Sequence, residues 1–127
     1  MPHPVKAVAN AIINKASASG EKVSHLKLQK LLYYMCGYHV AAFDQPLMDH
    51  TFEAWDYGPV VPALYAEFKH FRNQPITTLA SEYDWGTEDF TIVPIPVGDA
   101  RLDKVLDFVW KTYGKYSGPQ LSDLTHA

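Results

Sequence analysis

The stretch KLQKLLYY, Lys27 to Tyr34, sits inside the run that organises the fold. Ser24 can cap a helix with its side chain, and the apolar spacing then predicts a helix reaching about Phe43. Leu28, Leu31, Leu32, Met35, Tyr38, Ala42 and Phe43 form one broad apolar arc. The opposite side carries Lys27, Lys30, Tyr33, Tyr34, Gly37 and Ala41, which is not an ordinary solvated face. A helix with so little polar surface is either central or covered on a second side. Gly37 and Ala41 would let another backbone come close.

Upstream, a first helix is expected from about Pro4 to Ser17. Val5, Val8, Ala9, Ile12, Ile13 and Ala16 share one face, and Gly20 is the stop. Downstream, Asp44-Gln45-Pro46 opens a loop. Thr51 to Tyr57 is rich in strand formers and reads as a short strand that Gly58-Pro59 breaks. Pro62 suits the start of a third helix, about Val61 to Phe71, with Leu64, Tyr65, Phe68 and Phe71 inward. Pro75, Gly86, Pro94, Pro96 and Gly98 punctuate the next stretch, where Phe90 to Ile95 reads as an edge strand. Arg101 to Tyr113 is an amphipathic helix, and Ser117-Gly118-Pro119-Gln120 has the spacing of a capping box that starts a last short helix. The fold class is therefore α+β: a compact, helix-dominated single domain of about five helices with a small antiparallel sheet.

At 127 residues and 47% hydrophobic content the chain suits one globular domain. The net charge of −3, without any lysine- or arginine-dense run, argues against a domain that grips nucleic acid through its phosphates. The one cysteine, Cys36, excludes an intrachain disulfide and suits a reducing interior. No signal peptide is recognisable and no run approaches a membrane span, so a cytoplasmic protein without a membrane partner is expected.

The search for chemistry finds little. His25 and His39 on one helix lie roughly 21 Å apart along its axis and cannot share a metal. Cys36 and His39 supply at most two ligands where zinc needs three or four. His39 reads as a core histidine and Cys36 as a buried, inert thiol. There is no GxSxG, no GxGxxG and no Walker loop, and Glu53 and Asp56 should face opposite ways on a strand. Asp107 and Lys111 read as an ordinary ion pair. No catalytic, cofactor-binding or metal-ligating residue is therefore expected, and no enzyme. What remains is aromatic and cationic: Lys30 beside Tyr34, then Trp55 and Tyr57. Either the aromatics are core and Lys30 is a surface lysine whose stem covers Tyr34, or together they form a partner-binding platform. The platform is the expectation taken forward, with Leu28 and Leu31 assigned to the core and Gly58 and Pro59 to backbone geometry.

Three blocks then carry a resemblance: LKLQKLLYY (Leu26 to Tyr34), EAWDYGPVVPALYAEF (Glu53 to Phe68) and LSDLTH (Leu121 to His126). In that order they resemble the SocA-like Panacea antitoxin family, also described as phage-associated GepA-like. The matching positions are Leu28, Gln29, Lys30, Leu31, Tyr33, Tyr34, Ala54, Trp55, Tyr57, Gly58, Pro59 and Val60, followed by Leu121, Ser122, Thr125 and His126. The resemblance implies a compact helix-dominated α+β domain. It also implies a non-catalytic antitoxin that neutralises the toxin of an adjacent gene by direct contact. In one branch it implies instead an adaptor that delivers the toxin to an AAA+ protease, and many antitoxins also bind operator DNA. Family members continue beyond the Thr-His pair, so the C-terminal end reads as truncated relative to the family. Gln74 to Ala100 matches no family pattern, as suits variable recognition of different toxins.

Overall fold

A computed structural model describes residues 2–56 and 58–126 of the chain. Among them, five helices and two hairpins are arranged around the helix predicted to be central. That helix, α2 (His25–Phe43), is capped by Ser24, whose hydroxyl accepts from Lys27 N at 3.2 Å. It packs against α1 (Val5–Ala18), α4 (Ala100–Tyr113) and α5 (Gly118–His126). Leu28, Leu31, Leu32 and Met35 are buried together with Ile12, Leu64, Phe68, Leu102 and Leu121. The helix is thus central and also covered on a second side, by the α4–α5 corner. There the Lys27 ammonium donates to the Gly114 carbonyl and lies 5.3 Å from the Trp110 ring centroid.

The close backbone approach comes at a different glycine from the one expected. An added Cβ at Gly37 would meet nothing within 4 Å. At Gly118 it would lie 3.1 Å from Lys27 N and from Leu26 Cβ and Cγ, so α5 crosses the first turn of α2 there. The capping box forms as read: Gln120 Oε1 accepts from Ser117 N at 2.8 Å, and Ser117 Oγ accepts from Gln120 N at 3.2 Å. Asp99 caps α4, accepting from Arg101 N at 3.0 Å and Leu102 N at 3.1 Å.

Two readings of the middle of the chain change. Gly58-Pro59 does not end a strand but begins one: β1 (Glu53–Trp55) pairs antiparallel with β2 (Gly58–Val60), Trp55 opposite Gly58. The reversal requires φ of 113° at Gly58, a region open to glycine and costly for side-chain-bearing residues. The helix after it, α3 (Pro62–Phe68), tightens into a 3₁₀ turn at Lys69–Phe71. The second change is a strand missed altogether. β3 (Ser81–Asp84) pairs antiparallel with β4 (Asp89–Ile92), so the expected edge strand at Phe90 is one arm of a second hairpin and stops before Pro94. The single small sheet is in fact two separate two-stranded ones.

Asn10 ties that second hairpin to the body from inside α1. It is 0% exposed, and its amide donates to Ala80 O at 3.0 Å and Val93 O at 2.9 Å while accepting from Ala80 N at 2.7 Å. The backbone groups at the base of a hairpin are thereby satisfied without a third strand.

Candidate partner-binding surface

Two of the polar residues inside KLQKLLYY, Gln29 and Lys30, turn inward and hold the other motif. Gln29, 1% exposed, clasps one residue at both ends: its Oε1 accepts from Val61 N at 2.9 Å and its Nε2 donates to Val61 O at 3.1 Å. Lys30 is 0% exposed, and its ammonium donates to Pro59 O at 2.9 Å. Proline has no N–H and β2 has β1 as its sheet neighbour on one side, so α2 side chains take the carbonyls the sheet leaves over. Lys30 is therefore not the surface lysine expected of it, and its stem does not lie across Tyr34 in water. Burial pushes its ammonium down to about 8.

The same clasp sets the state of His25. Gln29 Nε2 lies 3.0 Å from His25 Nε2. Because Gln29 Oε1 is already fixed on Val61 N, the amide nitrogen must donate and the imidazole Nε2 must accept. Burial, then the nearby Lys30 charge, pushes His25 down to about 4. The unfolded chain takes up this proton near pH 6.5 and the folded one only near 4, so the folded state is favoured above that window. Thermal stability is expected to fall as pH drops from 6.5 toward 4. His25→Leu should flatten that part of the curve, which calorimetry across the window would check.

With Lys30 inside, the surface above it is aromatic. Tyr34 is half-buried and stacks on Tyr113 with centroids 4.0 Å apart at 11°, while Tyr38 and Tyr113 share a hydroxyl hydrogen bond of 2.8 Å. Trp55 is half-buried; its indole N–H donates to Glu53 Oε1 at 3.1 Å and its ring packs edge-on against Tyr65 at 5.0 Å. Tyr57, the fourth expected contact residue, lies outside the described residues, as do the side chains of Thr125 and His126. Leu28 and Leu31 are core, as assigned from sequence.

Tyr33 and Phe52 are the residues that sequence reading left out of the surface. Their rings meet edge-on at 5.3 Å and 89° and form a ridge. On one side lies an open groove of 480 Å³ whose walls are Tyr34, Tyr38 and Val40 and whose floor includes Gly37 and Ala41. On the other lies a groove of 370 Å³ bounded by Glu53, Trp55, Gly58 and Pro59. The small residues at Gly37 and Ala41 thus leave a depression instead of admitting a neighbouring helix. Tyr33 stands in the same motif as Tyr34, and its signal was that neither Gly37 nor Ala41 after it is polar.

The surface carries no reactive group in its first groove. Cys36 is half-buried there and burial pushes its thiol up to about 12, far from a nucleophile's range. His39 is a core histidine whose Nδ1 donates to Gln45 O at 2.7 Å. Among the described residues no three His, Cys, Asp or Glu side chains converge as metal ligands, and no helix is long and apolar enough to cross a membrane.

This arrangement, an aromatic surface whose underside is the clasp between two sequence motifs, can be set beside known proteins. The family described as "Antitoxin SocA-like, Panacea domain" matches residues 28–127. The chain belongs to the SocA-like Panacea antitoxin family. It is 34% identical over 122 residues to a protein named Antitoxin SocA from Caulobacter vibrioides (strain NA1000 / CB15N). The alignment covers 96% of this chain and 64% of that relative, so the chain spans less than two thirds of the relative's length. No solved structure matches significantly. For this Panacea domain the matched region begins at Leu28, inside the clasp, and takes in both hairpins and the aromatic ridge.

Proposed function

We propose that this chain is a non-enzymatic antitoxin of the cytoplasm that neutralises a protein toxin encoded by the adjacent gene, by binding it directly. Membership of the antitoxin family is the observation that carries the reading. The Tyr33–Phe52 ridge with Tyr34 and Trp55 beside it supports where the contact is made: tyrosine and tryptophan are the side chains enriched at interface centres, and the groove beside Tyr34 has few polar neighbours to desolvate. Lys30 serves this surface from beneath, by holding β2 in place.

Co-expression with the neighbouring open reading frame tests the proposal. The neighbour should arrest growth alone, and growth should return with this chain present, the toxin remaining intact and co-purifying with it. A double Tyr33→Ala/Trp55→Ala variant should weaken the complex by about 1000-fold, since hot-spot truncations cost about 2 kcal/mol each. A harmless neighbour, or one still lethal with this chain present, would refute the reading. A toxin whose half-life falls instead of persisting in complex would mark a protease adaptor.

A further inference from the structure

The second hairpin is amphipathic in the wrong direction. Its register puts Tyr83 opposite Phe90 and Ser81 opposite Ile92 on one face, and Glu82 opposite Thr91 and Asp84 opposite Asp89 on the other. In a ribbon lying on a protein body the apolar face is expected inward. Here the Glu82 face is the one tied down: Lys6 bridges Glu82 at 3.1 Å and Glu67 at 3.0 Å and donates to Ser81 O at 2.9 Å. The apolar face looks out. Trp85 is 83% exposed, Phe90 65%, Ile92 59% and Tyr83 38%. Tyr83 meets both Trp85 and Phe90 edge-on, at 4.7 and 5.3 Å, so the rings form one cluster. With Asn10 and Lys6 anchoring its base, the hairpin is a fixed platform.

Charge says what the platform fits. Asp84, Glu88 and Asp89 lie close to Trp85 along the chain at the tip, with Asp84 and Asp89 paired on the opposite face of the ribbon, and from residue 73 to residue 100 the chain has no lysine, arginine or histidine. Carboxylates near an exposed indole suit a cation seated over the ring, and they repel phosphate-bearing partners. We infer that the apolar face of the 81–92 hairpin is a second docking surface, for a protein segment in which lysine or arginine alternates with apolar side chains. Apolar groups of that segment cover Tyr83, Phe90 and Ile92, while its cations meet Trp85 and the acidic tip. This surface does not depend on the partner being a toxin.

The test needs no toxin, so it fails separately from the antitoxin reading. The whole chain is titrated calorimetrically with a short peptide alternating arginine and valine, and with its glutamate–valine counterpart. The arginine peptide should bind, less tightly as salt rises, and the glutamate peptide should not. Trp85→Ala, and separately the triple variant Asp84→Asn/Glu88→Gln/Asp89→Asn, should each weaken binding at least tenfold. Asparagine keeps the side-chain oxygens that accept from Gly86 N and Phe90 N, so the turn is retained in the triple variant. Equal binding of both peptides, binding of neither, or an unchanged affinity in either variant overturns the inference. So does a wild-type dimer in sedimentation that Trp85→Ala dissociates, which would make the occupant a second copy of the chain.

Discussion

Replacing Gln29 by leucine is expected to lower the unfolding free energy by about 3 kcal/mol. Leucine fits the volume but removes both ends of the clasp, so the N–H and C=O of Val61 are left inside without their partner. An orphaned buried polar group costs about 1–3 kcal/mol, and two are created. Against a total of about 5–15 kcal/mol for a domain, such a loss matters at ordinary temperature. Gln29→Glu separates chemistry from volume. It keeps an acceptor for Val61 N but sets a second oxygen against Val61 O, so it too should be destabilised despite its near-identical shape. Urea denaturation of the three proteins checks both expectations. A loss below about 1 kcal/mol for leucine would mean that Val61 finds other partners.

Asn10→Leu should cost a similar amount, about 3 kcal/mol, but the damage should be local first. Three hydrogen bonds disappear, all to Ala80 and Val93 at the two feet of the second hairpin. β3 and β4 have each other as sheet partners, and their outward face is exposed, so little else resists opening there. Hydrogen exchange should quicken across residues 80–93 well before it quickens in α2. If the platform is a docking surface, this variant should also bind the arginine peptide more weakly, because the hairpin loses its fixed position. Uniform exchange across the chain would instead show that hairpin and helical core open as one unit.

These two amides also mark the limit of what could be read from residues alone. The amphipathic helix Arg101 to Tyr113 was legible because its apolar positions recur at helical spacing, and the capping residues Ser24 and Ser117 are local chemistry that needs no distant partner. The Gly58-Pro59 pair was read as a break because proline cannot donate in a ladder. It became a strand because Lys30 and Gln29, about thirty residues earlier in the chain, bond the Pro59 carbonyl and the backbone of Val61, two residues on. Ser81 to Asp84 escaped notice because Tyr83 is its one apolar, strand-forming residue, too little alternation to mark a strand. Among the residues expected at the partner surface, Tyr34 and Trp55 are half-buried at the grooves, whereas Lys30 is inside.

By itself the sequence determined the family, the α+β class, the helices and the core leucines, since periodicity, caps and motif order are carried by neighbours along the chain. The inward turn of KLQKLLYY's polar residues was decided only by tertiary structure. Lys30 and Gln29 go in because the backbone of Pro59 in β2, and of Val61 just after it, needs hydrogen-bond partners that β1 does not supply, and α2 is what lies against it. That burial leaves Tyr33, Phe52 and Trp55 as the outer layer over the clasp, a surface no spacing rule along one element could have drawn.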